Sequence, residues 1–166
     1  MWNLDMTILF LDFDGVLHPN GAFRHSNGKI VLDADGHDLF EHAELLAGIL
    51  DPHPRVKIVL STSWVPTLGF ATAKECLPVA LQRRLVGTTW QGARIKLTWD
   101  SMTRYQQINS YVARRRLTNW IAVDDNDIGW PADKRQHLVH TNEWGGLGDT
   151  KAQQNLIDWL ERLKED

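Results

Sequence analysis

The sequence predicts an α/β domain in three layers, with a mostly parallel sheet covered by helices on both faces. Short apolar runs alternate along the chain with segments of helical periodicity. Such alternation builds parallel sheets from βαβ units. Clusters of carboxylates and hydroxyls follow three of the apolar runs. Because ligands of these folds bind beyond the carboxyl ends of the strands, we expect the polar clusters to meet at one edge of the sheet.

Five apolar runs are the predicted strands: Met6–Leu11, Val56–Leu60, Leu85–Thr88, Trp120–Val123 and His137–His140. The first is the most informative, because it leads directly into Asp12, Asp14 and Gly15. Alternate residues of a strand point the same way, so Asp12 and Asp14 share a face if the strand continues. If the strand ends at Asp12, the following loop sets the direction of Asp14. Unpaired buried carboxylates are unfavourable, so this pair indicates a cation or a functional role.

Four segments have helical patterns: His37–Leu50, Thr67–Arg84 with a break near Pro78, Thr103–Arg116, and Thr150–Lys164. The first spaces its apolar residues three or four apart, as an amphipathic helix does. Either Thr103 or Ser101 is expected to cap the third. The polar, glycine-containing segment between Pro19 and His37 is too short for a folded domain. We therefore expect a flap or a β-hairpin there.

Length and composition narrow the classes of protein. A chain of 166 residues is long enough for one domain with a sizeable core, which we expect to span residues 1–166. The formal charge of −3 gives no reason to expect strong nonspecific nucleic-acid binding. A single cysteine, Cys76, excludes an internal disulfide framework and a cysteine-rich zinc site. With no signal-peptide pattern and no membrane-spanning apolar run, we expect a soluble cytoplasmic protein.

The polar clusters at the predicted strand ends suit phosphate chemistry. Asp12 together with Asp124 and Asp125 would form an oxygen-rich pocket, the kind of site that Mg²⁺ prefers. An aspartate can attack phosphorus and form an aspartyl-phosphate. A second carboxyl two residues later can protonate the leaving group and then activate water. Hydroxyls and backbone N–H groups around Thr62 and Ser63 can hold the other phosphate oxygens.

A cation is still needed on the phosphate. Arg104, at the start of a predicted helix, is the candidate, with Arg94 and Lys96 as alternatives. An exposed helical arginine is the alternative interpretation of Arg104. Read alone, the hydroxyls of 61–63 fit a helix N-cap better than a phosphate site, and only the other clusters favour the phosphate. Five tryptophans fall outside the predicted core and either pack against the sheet or rim the site, where their rings can stack on bases. They are Trp64, Trp90, Trp99, Trp130 and Trp144.

These clusters resemble the motifs of the haloacid dehalogenase (HAD) superfamily of phosphohydrolases. The resemblance rests on Asp12-Phe13-Asp14-Gly15-Val16-Leu17 for the first motif, Leu60-Ser61-Thr62 for the second and Val123-Asp124-Asp125 for the fourth. More narrowly, the chain is similar to the HAD domain of bacterial "Swiss Army Knife" RNA-repair proteins. That similarity rests on His18-Pro19, Ser63-Trp64, Arg104 four residues before Ile108, and Gly146-Leu147. Val65 departs from the pattern, where an arginine is expected.

The resemblance implies a Rossmann-like, HAD-like fold with at most a minimal cap. It also implies an Mg²⁺-dependent phosphomonoester hydrolase that works through an aspartyl-phosphate. Asp12 would be the nucleophile and a metal ligand. Asp14 would be the general acid/base, and its backbone carbonyl would also ligate the metal.

The remaining roles follow from the same resemblance. Thr62 would bind the phosphate, or Ser61 if the strand register differs by one residue. Asp125 would ligate Mg²⁺ directly, with Asp124 close by. Arg104 would take the place of the third motif, which is usually a lysine or an arginine.

The implied substrate is a phosphorylated small molecule, a nucleotide or the phosphorylated end of a nucleic acid. No membrane partner is expected, and the sequence identifies no protein partner. Two other classes fit part of the pattern: a signalling receiver domain, and a regulatory or binding domain that kept the fold and lost turnover. Receivers carry an acceptor aspartate after a middle strand, whereas Val56–Leu60 ends in hydroxyls. The intact Asp14 argues against lost turnover.

Overall fold

Five parallel strands form the central sheet of the computed structural model, which describes residues 6–163. Together with a separate two-stranded hairpin, the described residues contain seven strands. They are β1 (Thr7–Leu11), β2 (Ala22–Arg24), β3 (Ile30–Leu32), β4 (Val56–Leu60), β5 (Leu85–Thr88), β6 (Trp120–Asp124) and β7 (Leu138–His140). The sheet order is β5-β4-β1-β6-β7, and all its pairs are parallel. The predicted parallel sheet is thus confirmed.

Seven α-helices lie within the described residues: α1 (Ala43–Leu50), α2 (Trp64–Leu68), α3 (Phe70–Glu75), α4 (Val79–Gln82), α5 (Lys96–Ser101), α6 (Arg104–Arg115) and α7 (Thr150–Arg162). Thr103 is the cap of α6, as one of the two predicted alternatives. Its hydroxyl accepts from the N–H of Gln106, and its own N–H donates to the Gln106 side chain, which makes a capping box. The predicted end of the last helix at Lys164 lies outside the described residues.

Two of the predicted helices are shorter than expected. The segment His37–Leu50 is helical only from Ala43, because Phe40 adopts a left-handed backbone with a φ of 60°. The segment Thr67–Arg84 contains three helical pieces instead of two. The sequence predicts an interruption of the helix near Pro78. In addition, Gly69, with a φ of 89°, separates α2 from α3.

Two smaller differences concern segments next to strands. The sequence did not predict α5, which lies between β5 and α6. His137 was expected in the last strand but ends a 3-10 turn instead. Its ring stacks on Trp120 with 4.2 Å between centroids, and its Nδ1 lies 2.8 Å from the Trp120 carbonyl. These two contacts hold His137 outside the ladder of β7.

The sheet is buried on both faces, which creates the three layers. Leu9 and Leu11 of β1 point to one face, where they share a core with α1 and α7. Ile8 and Phe10 point to the other face, where they pack with Ile108 and Tyr111 of α6. The alternation along β1 therefore assigns each face to its own helices.

The sheet order places a crevice at the carboxyl end of β1. The chain passes from β1 to β4 and β5 on one side, and then crosses to β6 and β7 on the other side. Open α/β sheets bind their ligands at such a reversal of strand order. The segment that follows β1 forms the expected hairpin from β2 and β3. Within residues 6–163, no helix combines the length and apolar character that crossing a bilayer requires.

Candidate functional site

Polar residues that follow β1, β4 and β6 meet at the edge of the sheet. Leu11 is paired with Leu60 of β4 and with Val123 of β6, so the next residue of each strand reaches the same level. Those next residues are Asp12, Ser61 and Asp124, and each is at most 4% exposed. The strand register therefore brings together groups that are far apart in the sequence.

Three carboxylates form one cluster in this crevice. Asp12, Asp124 and Asp125 each offer an oxygen, and the three oxygens lie within 4.8 Å of one another. Burial raises the pKa of Asp12 and raises that of Asp124 well above its usual value, while Arg104 opposes both shifts. Burial and the charge of Asp12 raise the pKa of Asp125 to about 6. Each shift shows that negative charge is disfavoured in the cluster.

The cluster has the properties of a divalent cation site. Three carboxylates face one guanidinium, that of Arg104, so two negative charges remain uncompensated when all three are ionised. The Oδ2 atom of Asp124 is buried and receives no hydrogen bond from the residues that the structure describes. Arg104 Nε lies 3.0 Å from that oxygen, so this contact is an ion pair without hydrogen-bond alignment. Oxygen ligands that carry this excess of negative charge fit Mg²⁺.

Arg104 joins the three strand ends to helix α6. Its guanidinium donates to Asp12 Oδ2 at 3.2 Å and to the backbone carbonyl of Ser61 at 2.6 Å, in addition to the ion pair with Asp124. The capping box at Thr103 begins α6 immediately before it. Of the three candidate cations, Lys96 pairs with Asp100 on α5, whereas Arg104 contacts the carboxylates directly.

The hydroxyls after β4 have different surroundings. The Thr62 hydroxyl makes a hydrogen bond with Asp12 and lines a cavity of about 460 Å³ next to the cluster. The Ser61 hydroxyl is fully buried and has no hydrogen-bond partner among the described residues. Thr62 is therefore the better placed of the two predicted alternatives to meet a ligand.

The cavity beside Thr62 lies between α2, α5 and the start of α6. Arg104 lines it next to the cluster, and Lys96 and Trp99 line it farther out. Trp99 is only 6% exposed, as are Trp64 and Trp130, so these three tryptophans pack into the protein. Trp144 is 59% exposed. The prediction that tryptophans pack against the sheet therefore holds for some of them, and the structure leaves Trp144 on the surface.

Asp14 lies outside the three-carboxylate cluster. It occupies the turn after β1, so the loop and not the strand sets the direction of its side chain. Trp64 Nε1 donates to Asp14 Oδ2 at 2.9 Å, and His18 Nε2 lies 3.1 Å from Asp14 Oδ1. The sequence pattern included both residues among the motif positions and predicted that Trp64 packs on the sheet or rims the site. It did not predict their contacts with Asp14, and Trp64 is fifty residues away from Asp14 along the chain.

The fold and the site define the chain as a HAD-like domain of the hydrolase and phosphatase superfamily. A parallel sheet delivers an Asp-x-Asp motif from β1, hydroxyls from β4 and paired acids from β6 to one crevice. The family model for the HAD domain in Swiss Army Knife RNA repair proteins matches residues 8–152. The chain belongs to this family. A comparison with curated proteins gives no match.

We expect substitution of Gly15 to disrupt the carboxylate cluster. Gly15 has a φ of 71°, and a Cβ there would overlap the Asp125 carboxyl. Gly15→Ala should weaken Mg²⁺ binding at least about tenfold in calorimetric titration, because displacing a ligand's support has effects of that size. Gly36→Ala is the matched control, since Gly36 has a φ of 79° and nothing within 4 Å of its Cβ position. Equal losses in both variants would attribute the effect to backbone strain alone.

We expect Asp125→Asn to stabilise the metal-free protein at neutral pH. The folded state raises the pKa of Asp125 from 3.8 to about 6, so stability falls as pH rises through that interval and the charged form is disfavoured above it. The gain is about 1 kcal/mol, since partial exposure screens part of the shift. It should shrink as pH falls below 6.

Urea unfolding in EDTA at neutral and mildly acidic pH measures this gain. Mg²⁺ should reverse the order of stability, because it binds the wild type more tightly. Asp127→Asn is the control, since Asp127 is exposed, its Oδ2 lies 2.7 Å from Arg135 and its pKa is lowered. A metal-free Asp125→Asn protein less stable than the wild type at neutral pH would contradict the account.

Proposed function

We propose that this protein is an Mg²⁺-dependent phosphomonoester hydrolase that acts through an aspartyl-phosphate on Asp12. One observation carries the proposal. Asp12 directly follows β1, pairs with the guanidinium of Arg104 and offers an oxygen to the same cluster as Asp124 and Asp125. Family membership supports it, because the HAD superfamily is one of hydrolases and phosphatases.

Asp12 is oriented for nucleophilic attack. Its Oδ1 accepts the N–H of Phe13 at 2.8 Å, and its Oδ2 accepts from Arg104. In the proposed reaction an oxygen of Asp12 forms a bond to phosphorus, and the ester P–O bond breaks. The leaving oxygen takes a proton from Asp14. Water then gives a proton to Asp14 and attacks the same phosphorus, which releases inorganic phosphate and restores Asp12.

The remaining phosphate oxygens need donors around the reacting group. The Thr62 hydroxyl and the guanidinium of Arg104 both border the cavity beside Asp12. We assign both to phosphate binding. Preorganised donors of this kind stabilise the charge that develops in a phosphoryl-transfer transition state.

The proposed metal ligands are the carboxylates of Asp12, Asp124 and Asp125, together with the backbone carbonyl of Asp14. When bound, Mg²⁺ supplies positive charge that offsets these carboxylates and polarises a phosphate oxygen. The raised pKa values of the three acids and the unbonded Oδ2 of Asp124 support this assignment.

For the substrate we propose a nucleotide or the phosphorylated end of a nucleic acid. The family's printed description, a domain of RNA repair proteins, favours the nucleic-acid end. The cavity of about 460 Å³ is large enough for a nucleoside and contains both cationic and aromatic side chains. The segment after β1 supplies only a two-stranded hairpin as a cap. A small cap leaves room for a polymer to enter.

We expect purified protein to hydrolyse 4-nitrophenyl phosphate in Mg²⁺ but not in EDTA. Asp12→Asn should lower kcat by more than about 10³-fold, because it removes the nucleophile. Asp127→Asn, in the loop after β6 but paired with Arg135, should retain wild-type activity. Equal rates for wild type and Asp12→Asn would disprove the nucleophile. Inactive wild-type protein that still binds Mg²⁺ would instead support a regulatory or binding domain.

We expect a phosphorylated oligonucleotide to be a better substrate than a mononucleotide. One additional stacked base contributes about 1–3 kcal/mol, which corresponds to at least about fivefold in kcat/KM. Phosphate release from 3′- and 5′-phosphorylated oligonucleotides, measured beside the matching mononucleotides, tests this. The Asp12→Asn protein serves as the blank for contaminating phosphatases. Activity confined to small phosphorylated metabolites would disprove the nucleic-acid assignment.

A further inference from the structure

We propose that His18 and Trp64 are positioning residues that hold the carboxylate of Asp14 in its working orientation. The proposal rests on the proposed function, in which Asp14 is the general acid/base. It assigns a role to two residues that contact Asp14 and lie outside the three-carboxylate cluster. Together with Asp14 we call them the Asp14 clamp.

Trp64 forms one arm of the clamp. It is the first residue of α2 and is only 6% exposed. Its indole N–H donates to Asp14 Oδ2 at 2.9 Å. An indole N–H can only donate, so this contact requires Asp14 Oδ2 to accept. The position of α2 after β4 thereby fixes one oxygen of a residue that follows β1.

His18 forms the other arm, and its surroundings define its tautomer. The backbone N–H of Phe40 donates to His18 Nδ1 at 3.2 Å, so Nδ1 carries no proton. The proton is therefore on Nε2, which lies 3.1 Å from Asp14 Oδ1 and donates to it. The His18 side chain is fully buried, which keeps water from replacing this contact.

Phe40 holds both arms and adopts an unfavourable backbone conformation. Its φ of 60° is rare and strained for a bulky side chain. In this conformation its N–H reaches His18, and its ring packs edge-on against His18 and Trp64, at 5.0 and 5.1 Å between centroids. Phe13 meets Phe40 and Trp64 in the same way. These contacts keep the two donors in fixed positions.

The clamp leaves Asp14 able to exchange a proton. Each carboxylate oxygen has two lone pairs and uses one to accept from the clamp. The other lone pair on each oxygen stays available for the leaving group or for water. Because both oxygens are fixed, the carboxyl cannot rotate away, and a fixed orientation is what makes proton transfer efficient.

Leaving groups of different basicity test the clamp. Phenolate is a poorer leaving group than 4-nitrophenolate, so it depends more on the proton from Asp14. Trp64→Phe keeps the packing ring and removes the donor. It should lower kcat/KM for phenyl phosphate about tenfold or more and change that for 4-nitrophenyl phosphate much less. Trp130→Phe is the matched control, because Trp130 is also 6% exposed and its indole N–H has no hydrogen-bond partner within residues 6–163.

His18 variants separate the hydrogen bond from packing. His18→Phe removes the donor and should produce the same leaving-group dependence as Trp64→Phe. His18→Gln restores an N–H donor and should recover part of the phenyl phosphate activity. In an Asp14→Asn background neither change should alter the leaving-group dependence further, since both act through Asp14. Additive losses in that background, or equal losses on both esters, would overturn the proposal.

NMR tests the clamp without activity. The indole N–H resonance of Trp64, assigned by its loss in Trp64→Phe, should shift in Asp14→Asn, whereas that of Trp130 should not. Long-range ¹⁵N–¹H spectra should show a protonated Nε2 and a bare Nδ1 on His18. Shifts with no phosphatase activity in any variant would reject the proposed function while keeping the contacts. Activity that requires Asp12, with an unshifted Trp64 resonance, would reject the clamp alone.

Discussion

The contact on which the rest of the site depends is the one between Arg104 and the carboxylates at the carboxyl ends of β1 and β6. Burying acidic groups without a partner is strongly unfavourable, and here the guanidinium is the partner that makes it possible. The same guanidinium also donates to the backbone carbonyl of Ser61 after β4, so one side chain connects all three strand ends. Helix α6 carries Arg104 to this position, and its residues Ile108 and Tyr111 anchor it on the sheet.

Arg104 balances only part of the negative charge of the three carboxylates. One guanidinium cannot neutralise three acids, and burial together with the neighbouring carboxylates raises the pKa values of Asp124 and Asp125. The close approach of the Gly15 backbone to Asp125 belongs to the same arrangement, since only a residue without a Cβ leaves room for that carboxyl.

The features that could be predicted from the sequence are those that depend on local residue patterns. Buried strands have continuous apolar runs, and parallel order then places Asp12 and Asp124 at one edge without any knowledge of contacts. The capped start of α6 at Thr103 is likewise a local signal. Tertiary contacts decided the rest. Phe40 interrupts a good helical pattern because its ring and N–H are used by His18 and Trp64, and no periodicity in the chain reports such a contact.

The two aspartates of the first motif show how environment can divide roles between like residues. Asp12 ends a strand and meets a cation, whereas Asp14 lies in the turn and meets two neutral donors. Burial raises the pKa of Asp12, and the guanidinium of Arg104 opposes that rise, which favours the anion that a nucleophile needs. The carboxylate of Asp14 is oriented by an indole and an imidazole, as the proposed general acid/base requires. The end of β1 before Asp14 therefore separates the surroundings of the two aspartates, and with them the two proposed roles, since a strand continued through Asp14 would have directed both carboxylates to the same face.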